Sequence, residues 1–116
     1  MFSVGQGLFG RINYIDGSYP EYDRPYLIIG VSNDKIGLLD VSSVKGKETK
    51  LLLQSNKLLN HYNPPFPRRS FVLLDSYREI SINEASTLYI LSNGETIDRS
   101  ELRAIENAMK DTYNNP

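Results

Sequence analysis

Apolar and polar positions alternate roughly from Leu8 to Ile15, the period of a half-buried strand. Asp16 to Asp23 follows as a loop dense in turn formers. Pro25 to Val31 is β-branched and mostly apolar, which predicts a second strand near the centre of a sheet. Ser32-Asn33-Asp34-Lys35 has tight-turn composition, so Ile36 to Val41 is expected to return as its hairpin partner. Ser42 to Glu48 reads as a flexible basic connection, Thr49 to Gln54 as an apolar strand, and Ser55 to His61 as a short helical turn. Three prolines exclude regular structure from Tyr62 to Pro67. Ser70 to Leu74 is the clearest core strand, and Asp75 to Ile80 continues it to a sheet edge.

Ile82 to Leu91 fits helix and strand equally, and Asn93-Gly94 is a turn. Asp98 followed by Glu101 is a capping-box-like helix start, after which Leu102, Ile105 and Met109 share one face as core packing. Asn114 to Pro116 is expected to fray. Five or six short strands and a C-terminal helix give an α+β fold, a strongly bent antiparallel sheet with loops at one rim. One domain over residues 1–116 accommodates all of it.

Composition removes several chemistries. There is no cysteine, so disulfides, thiol catalysis and cysteine–metal sites are excluded, and the single histidine, His61, excludes histidine-pair metal motifs. Nucleotide-binding glycine loops and hydrolase signatures are absent, and Gly5-Gln6-Gly7 reads as a flexible lead-in to the first strand. No cofactor is implied. No apolar run approaches the roughly 18 residues of a membrane span, and the N-terminus lacks signal-peptide character, so the expected compartment is the cytoplasm.

The net charge of −1 is unevenly spread. Between Val41 and Arg69, Lys45, Lys47, Lys50, Lys57, Arg68 and Arg69 face only Glu48, a local balance of +5. This permits a cationic surface; solvated loop lysines are the alternative. Arg24 stands directly before Pro25 and the apolar second strand, where its planar guanidinium suits phosphate recognition. A salt bridge to Asp23 or Glu21 is the other use of that position. Phe66 beside Arg68 and Arg69 suits contact with bases and backbone, or else plugs the end of the sheet while the arginines are solvated. His61 reads as a surface residue near this loop.

The stretch Gly17-Ser18-Tyr19-Pro20-Glu21-Tyr22-Asp23-Arg24-Pro25, followed by Tyr26-Leu27-Ile28-Ile29, resembles the first loop and second strand of MazF/PemK toxins. Ser70-Phe71-Val72-Leu73-Leu74-Asp75-Ser76-Tyr77-Arg78-Glu79-Ile80 resembles that family's later signature. The resemblance implies a small SH3-like barrel of the MazF/PemK/CcdB type with a C-terminal helix. It implies a metal-independent endoribonuclease cutting single-stranded RNA, active as a homodimer and inhibited by a cognate antitoxin.

By the same resemblance Arg24 is catalytic, with Ser42 as its partner and Ser43 as the alternative. Asp75 is a candidate base, although Leu73 stands where some members carry an arginine and the first loop has no histidine. Glu21 is a further base candidate within the loop, and Tyr19 and Tyr22 are candidates for stacking on unpaired bases. Lys45, Lys47, Arg68 and Arg69 supply the cationic RNA surface. The same fold also serves toxins that poison a topoisomerase, and an inactive family member is a third possibility.

Overall fold

The computed structural model describes residues 2–13, 16–53, 55–59 and 65–114. Six strands, β1 (Gly7–Gly10), β2 (Arg24–Val31), β3 (Lys35–Ser43), β4 (Asn56–Leu58), β5 (Ser70–Ser81) and β6 (Tyr89–Ile90), form one antiparallel sheet. Its order is β4-β5-β3-β2-β1-β6. A one-turn helix α1 (Ile82–Ala85) follows β5, and α2 (Arg99–Asn114) closes the fold. The α+β class and the terminal helix agree with the sequence. The sheet, however, is open, with β4 and β6 as its edges. Those edges are three and two residues long, which leaves little ladder for closing a barrel.

Alternation along β2 sends Leu27 to one face and Tyr26 and Ile28 to the other, so both faces carry a core. On the first face Leu27, Leu39, Val72 and Leu74 pack against buried Ile105 of α2, flanked by Leu102 and Met109. The expected helix stripe is thus the core face of α2. On the second face Leu8, Tyr26, Ile28 and Leu38 pack against Ile12 and Ala85. Each aliphatic side chain fully buried here contributes about 1.5–3 kcal/mol.

The β3–β5 ladder is broken at one place. Leu38 pairs with Arg78 but Asp40 pairs with Leu73, so a single residue of β3 faces four of β5. Ser76 repairs the gap: its hydroxyl accepts the Asp40 amide at 2.7 Å and donates to the Leu73 carbonyl at 2.6 Å. Such a bulge bends its strand and re-aims nearby side chains.

Three local readings change. The expected strand from Thr49 to Gln54 is a 3₁₀ helix over Glu48–Leu52, with the Lys50 amide on the Lys47 carbonyl at 2.9 Å; Gln54 lies outside the described residues. Leu52 and Leu53 stay exposed, so the apolar run finds no core to pair into. The expected helical turn from Ser55 to His61 contains β4, because Asn56–Leu58 find β5 beside them; Asn60 and His61 lie outside the described residues. Gly5-Gln6-Gly7 is no flexible lead-in: the Gly5 amide donates to the Ile28 carbonyl, the buried Gln6 accepts the Ile28 amide, and its side-chain amide donates to the Gly94 carbonyl at 3.1 Å.

The ambiguous segment Ile82 to Leu91 resolves into both forms. Ser81 caps α1 by accepting the Glu84 amide at 3.0 Å, and β6 follows. The first strand is shorter than the alternation predicts: β1 ends at Gly10, and Arg11, Ile12 and Asn13 leave the ladder. The remainder of that reading at Tyr14 and Ile15, the loop from Tyr62 to Pro64 and the chain end at Asn115 and Pro116 lie outside the described residues. Among the described residues no helix is long and apolar enough to cross a membrane.

Ile105→Ala removes the central buried contact of α2 and is expected to cost about 2–5 kcal/mol, read as a fall in the urea midpoint at unchanged m-value.

Candidate functional site

Antiparallel pairing brings the start of β2, the end of β3 and the start of β5 to the same end of the sheet. Arg24 opens β2, Ser42 and Ser43 close β3, and Ser70 opens β5. Residues remote in the chain therefore converge on one cleft of about 580 Å³, lined by Arg24, Ser42, Ser43, Lys47, Phe66 and Arg68, with Tyr22 and Asp23 from the first loop. Lys47 reaches it because the Val44–Lys47 turn folds back, and its ammonium donates to Ser42 Oγ at 2.8 Å.

Leu91, which lines the cleft, leads into an unusual turn. Ser92, Asn93 and Gly94 all have positive φ, at 52°, 56° and 86°, a backbone form that costs free energy at the two non-glycine positions. Ser92 Oγ donates to the Pro65 carbonyl at 3.1 Å, tying this turn to the proline segment. At Gly7 the chains approach so closely that a Cβ would lie 3.0–3.1 Å from Pro65, Leu91 and Phe66.

The predicted residues are placed unequally. Arg24, Ser42, Ser43, Lys47, Arg68 and Tyr22 meet in the cleft. Phe66 lines it too, but at 2% exposure it belongs to the α2-side core and forms the floor. Asp75 is exposed on β5 and lines a neighbouring cleft of about 530 Å³ that it shares with Arg24, Ser42 and Lys47. Tyr19 lines a third cleft beyond β1. Glu21, Lys45 and Arg69 are exposed and line none of the three. His61 lies outside the described residues.

In the first loop, Asp23 is engaged by Arg11, whose Nε lies 3.2 Å from its carboxylate. Ser18 donates its hydroxyl and amide to Asp16 at 2.6 and 2.9 Å, which holds that carboxyl below its ordinary pKa.

Sequence reasoning missed Asp40. It lines the cleft shared by Arg24 and Asp75, and its carboxylate lies 2.9 Å from the Arg78 guanidinium, both side chains being nearly buried. Arg78 in turn lies over the Tyr26 ring, 5.5 Å from its centroid. Burial pushes the Asp40 pKa above its usual value, while the charges of Arg78 and, further off, Arg24 oppose the rise. The contact is a charge pair at short range rather than a well-aligned hydrogen bond. A signal existed in the sequence: Asp40 is the one charged residue inside the apolar run from Ile36 to Val41.

Among the described residues no three His, Cys, Asp or Glu side chains gather as a metal-binding group. No protein-family model matches this chain, and no curated protein sequence matches it.

A raised carboxyl pKa favours the protonated folded form, so Asp40 contributes stability at low pH that is lost as pH rises through its folded pKa. Arg78→Met removes the compensating charge. It is expected to cost about 3 kcal/mol at neutral pH and progressively less as the pH is lowered and Asp40 takes up a proton; urea denaturation over a descending pH series measures the difference.

Proposed function

We propose that this chain is a metal-independent endoribonuclease that cuts single-stranded RNA, of the MazF/PemK toxin kind. The observation that carries the reading is the convergence of Arg24 with Ser42, Ser43, Lys47 and Arg68 in one cleft at the strand ends. Three cations around two hydroxyls suit a phosphodiester, and the strands that hold Arg24 and the serines keep them pre-positioned. In this reading the bent open sheet is a variant of the small barrel that such toxins use.

The reaction needs no external nucleophile. The ribose 2′-oxygen attacks its own 3′-phosphorus, the bond from phosphorus to the 5′-oxygen breaks, and a 2′,3′-cyclic phosphate and a 5′-hydroxyl result. Arg24 stabilises the charge that develops on the phosphoryl oxygens and assists the leaving oxygen. Ser42, or Ser43 next to it, donates a hydrogen bond to the phosphate. The Lys47 ammonium donates to Ser42 Oγ, whose own hydrogen makes only a long contact of 3.4 Å to the Ser43 carbonyl, one that a phosphate oxygen can replace. Asp75, exposed beside the cleft that Arg24 lines, is the candidate acceptor of the 2′-proton. Asp40, held by Arg78, shares a cleft with Arg24 and acts on it as a counter-charge.

The accompanying expectations are cytoplasmic action, a homodimer that joins two copies of the basic segment, and an antitoxin whose acidic tail competes for the groove.

Purified protein is expected to cut mixed-sequence single-stranded RNA in EDTA, leaving cyclic-phosphate ends, and Arg24→Ala to abolish cleavage. Intact RNA with wild type, or equal cutting by Arg24→Ala, sinks the reading. In bacteria, induced expression should arrest growth and deplete transcripts. Arrest with intact transcripts and damaged DNA would point instead to the topoisomerase-poison class.

A further inference from the structure

Phe9 of β1 stands between two partners in register, Pro25 of β2 on one side and Tyr89 of β6 on the other. Residues paired this way point to the same face of the sheet, so Pro25, Phe9 and Tyr89 form a row about 10 Å wide. The row begins at the residue next to Arg24 and runs away from it to the sheet edge. All three line the Arg24 cleft.

Phe9 and Tyr89 are 37% and 68% exposed. The third cleft, of about 630 Å³, shares Phe9, Asp23 and Tyr89 with the first and adds Tyr19, Arg11 and Thr87. The two clefts are therefore continuous across the Phe9–Tyr89 pair. Tyr22, 68% exposed, lines the first, and Tyr19, 62% exposed, lines the third.

Leaving aromatic rings on the surface forgoes burial worth a few kcal/mol. A ligand for this row must be planar and apolar on its faces and joined to something anionic, because Arg24, Lys47 and Arg68 flank its inner end. Unpaired nucleobases on a phosphate backbone meet both demands, and stacking on aromatic side chains is how single strands are held without sequence-specific hydrogen bonds. The Arg11–Asp23 pair and Thr87 in the third cleft offer donors and acceptors to a base edge.

We propose that Phe9 and Tyr89 form a stacking platform for the unpaired base that flanks the phosphate at Arg24, with the third cleft receiving the next nucleotide. The platform rests on the ribonuclease reading and extends it. Binding is directional: the strand leaves Arg24 over Pro25 and Phe9 toward β6, so the nucleotides on that side of the cut are the ones held.

The test uses a short random-sequence 2′-O-methyl oligoribonucleotide, which binds but lacks the nucleophile, and a fully abasic oligomer of the same length. Fluorescence anisotropy is expected to show binding of the first weakened roughly tenfold or more by Tyr89→Ala, less by Phe9→Leu, and little by Tyr89→Phe. The abasic oligomer should bind wild type and Tyr89→Ala alike. Equal affinity of wild type and Tyr89→Ala for the base-bearing oligomer, with RNA still cut by both, overturns the platform and leaves the ribonuclease reading standing. Loss of dimer on size exclusion with Tyr89→Ala, at unchanged affinity per folded protomer, also overturns it and assigns the row to a contact between copies. A wild type that neither binds nor cuts RNA removes both proposals together.

Discussion

The register of β2 against β3 is the constraint on which the rest of the structure depends. Tyr26 opposite Asp40 and Leu27 opposite Leu39 fix which side chains face α2 and which face the other core. Because the side-chain period of a strand is two, a slip of one residue would exchange the two faces. It would also carry Arg24 away from Ser42 and Ser43. Stability and site geometry thus follow from one alignment, held by Leu27 and Leu39 on one side and Tyr26, Ile28 and Leu38 on the other.

The broken ladder between β3 and β5 is the second determinant. A continuous ladder would place the Asp40 amide against a backbone carbonyl of β5. Ser76 takes that role through its hydroxyl, and the freed segment bends. Arg78 then reaches Asp40 while resting on Tyr26, and the nearly buried carboxylate is balanced. A carboxylate at Asp40 without Arg78 would be a nearly buried, uncompensated charge, which proteins rarely tolerate.

Much of the fold was legible locally. β2 announced itself through Tyr26-Leu27-Ile28-Ile29, and α2 through Leu102, Ile105 and Met109 at helical spacing, because in both the pattern matches the faces they bury. Residues 49–58 misled for a physical reason. Leu51, Leu52 and Leu53 are apolar without a period, and the i to i+3 bonds after Lys47 decide their backbone; Asn56–Leu58 are polar at their start but find β5 beside them. At the site, Arg24 was legible because Arg-Pro before an apolar strand is a local feature. The Lys47–Ser42 contact and the Asp40–Arg78 pair were not, since one depends on how a turn folds back and the other on a bulge between distant strands.

Phe66, Leu91 and Val41 each serve two structures at once: they belong to or pack against the α2-side core, and they line the Arg24 cleft. The cleft floor is the outer skin of that core, with no intervening layer to absorb change. Shape and stability are consequently inherited together here. A lineage that reshapes the floor for a new ligand must first accumulate reserve stability elsewhere, for instance along α2, whereas the rim residues Tyr22, Arg68 and Tyr89 can diversify at little thermodynamic risk.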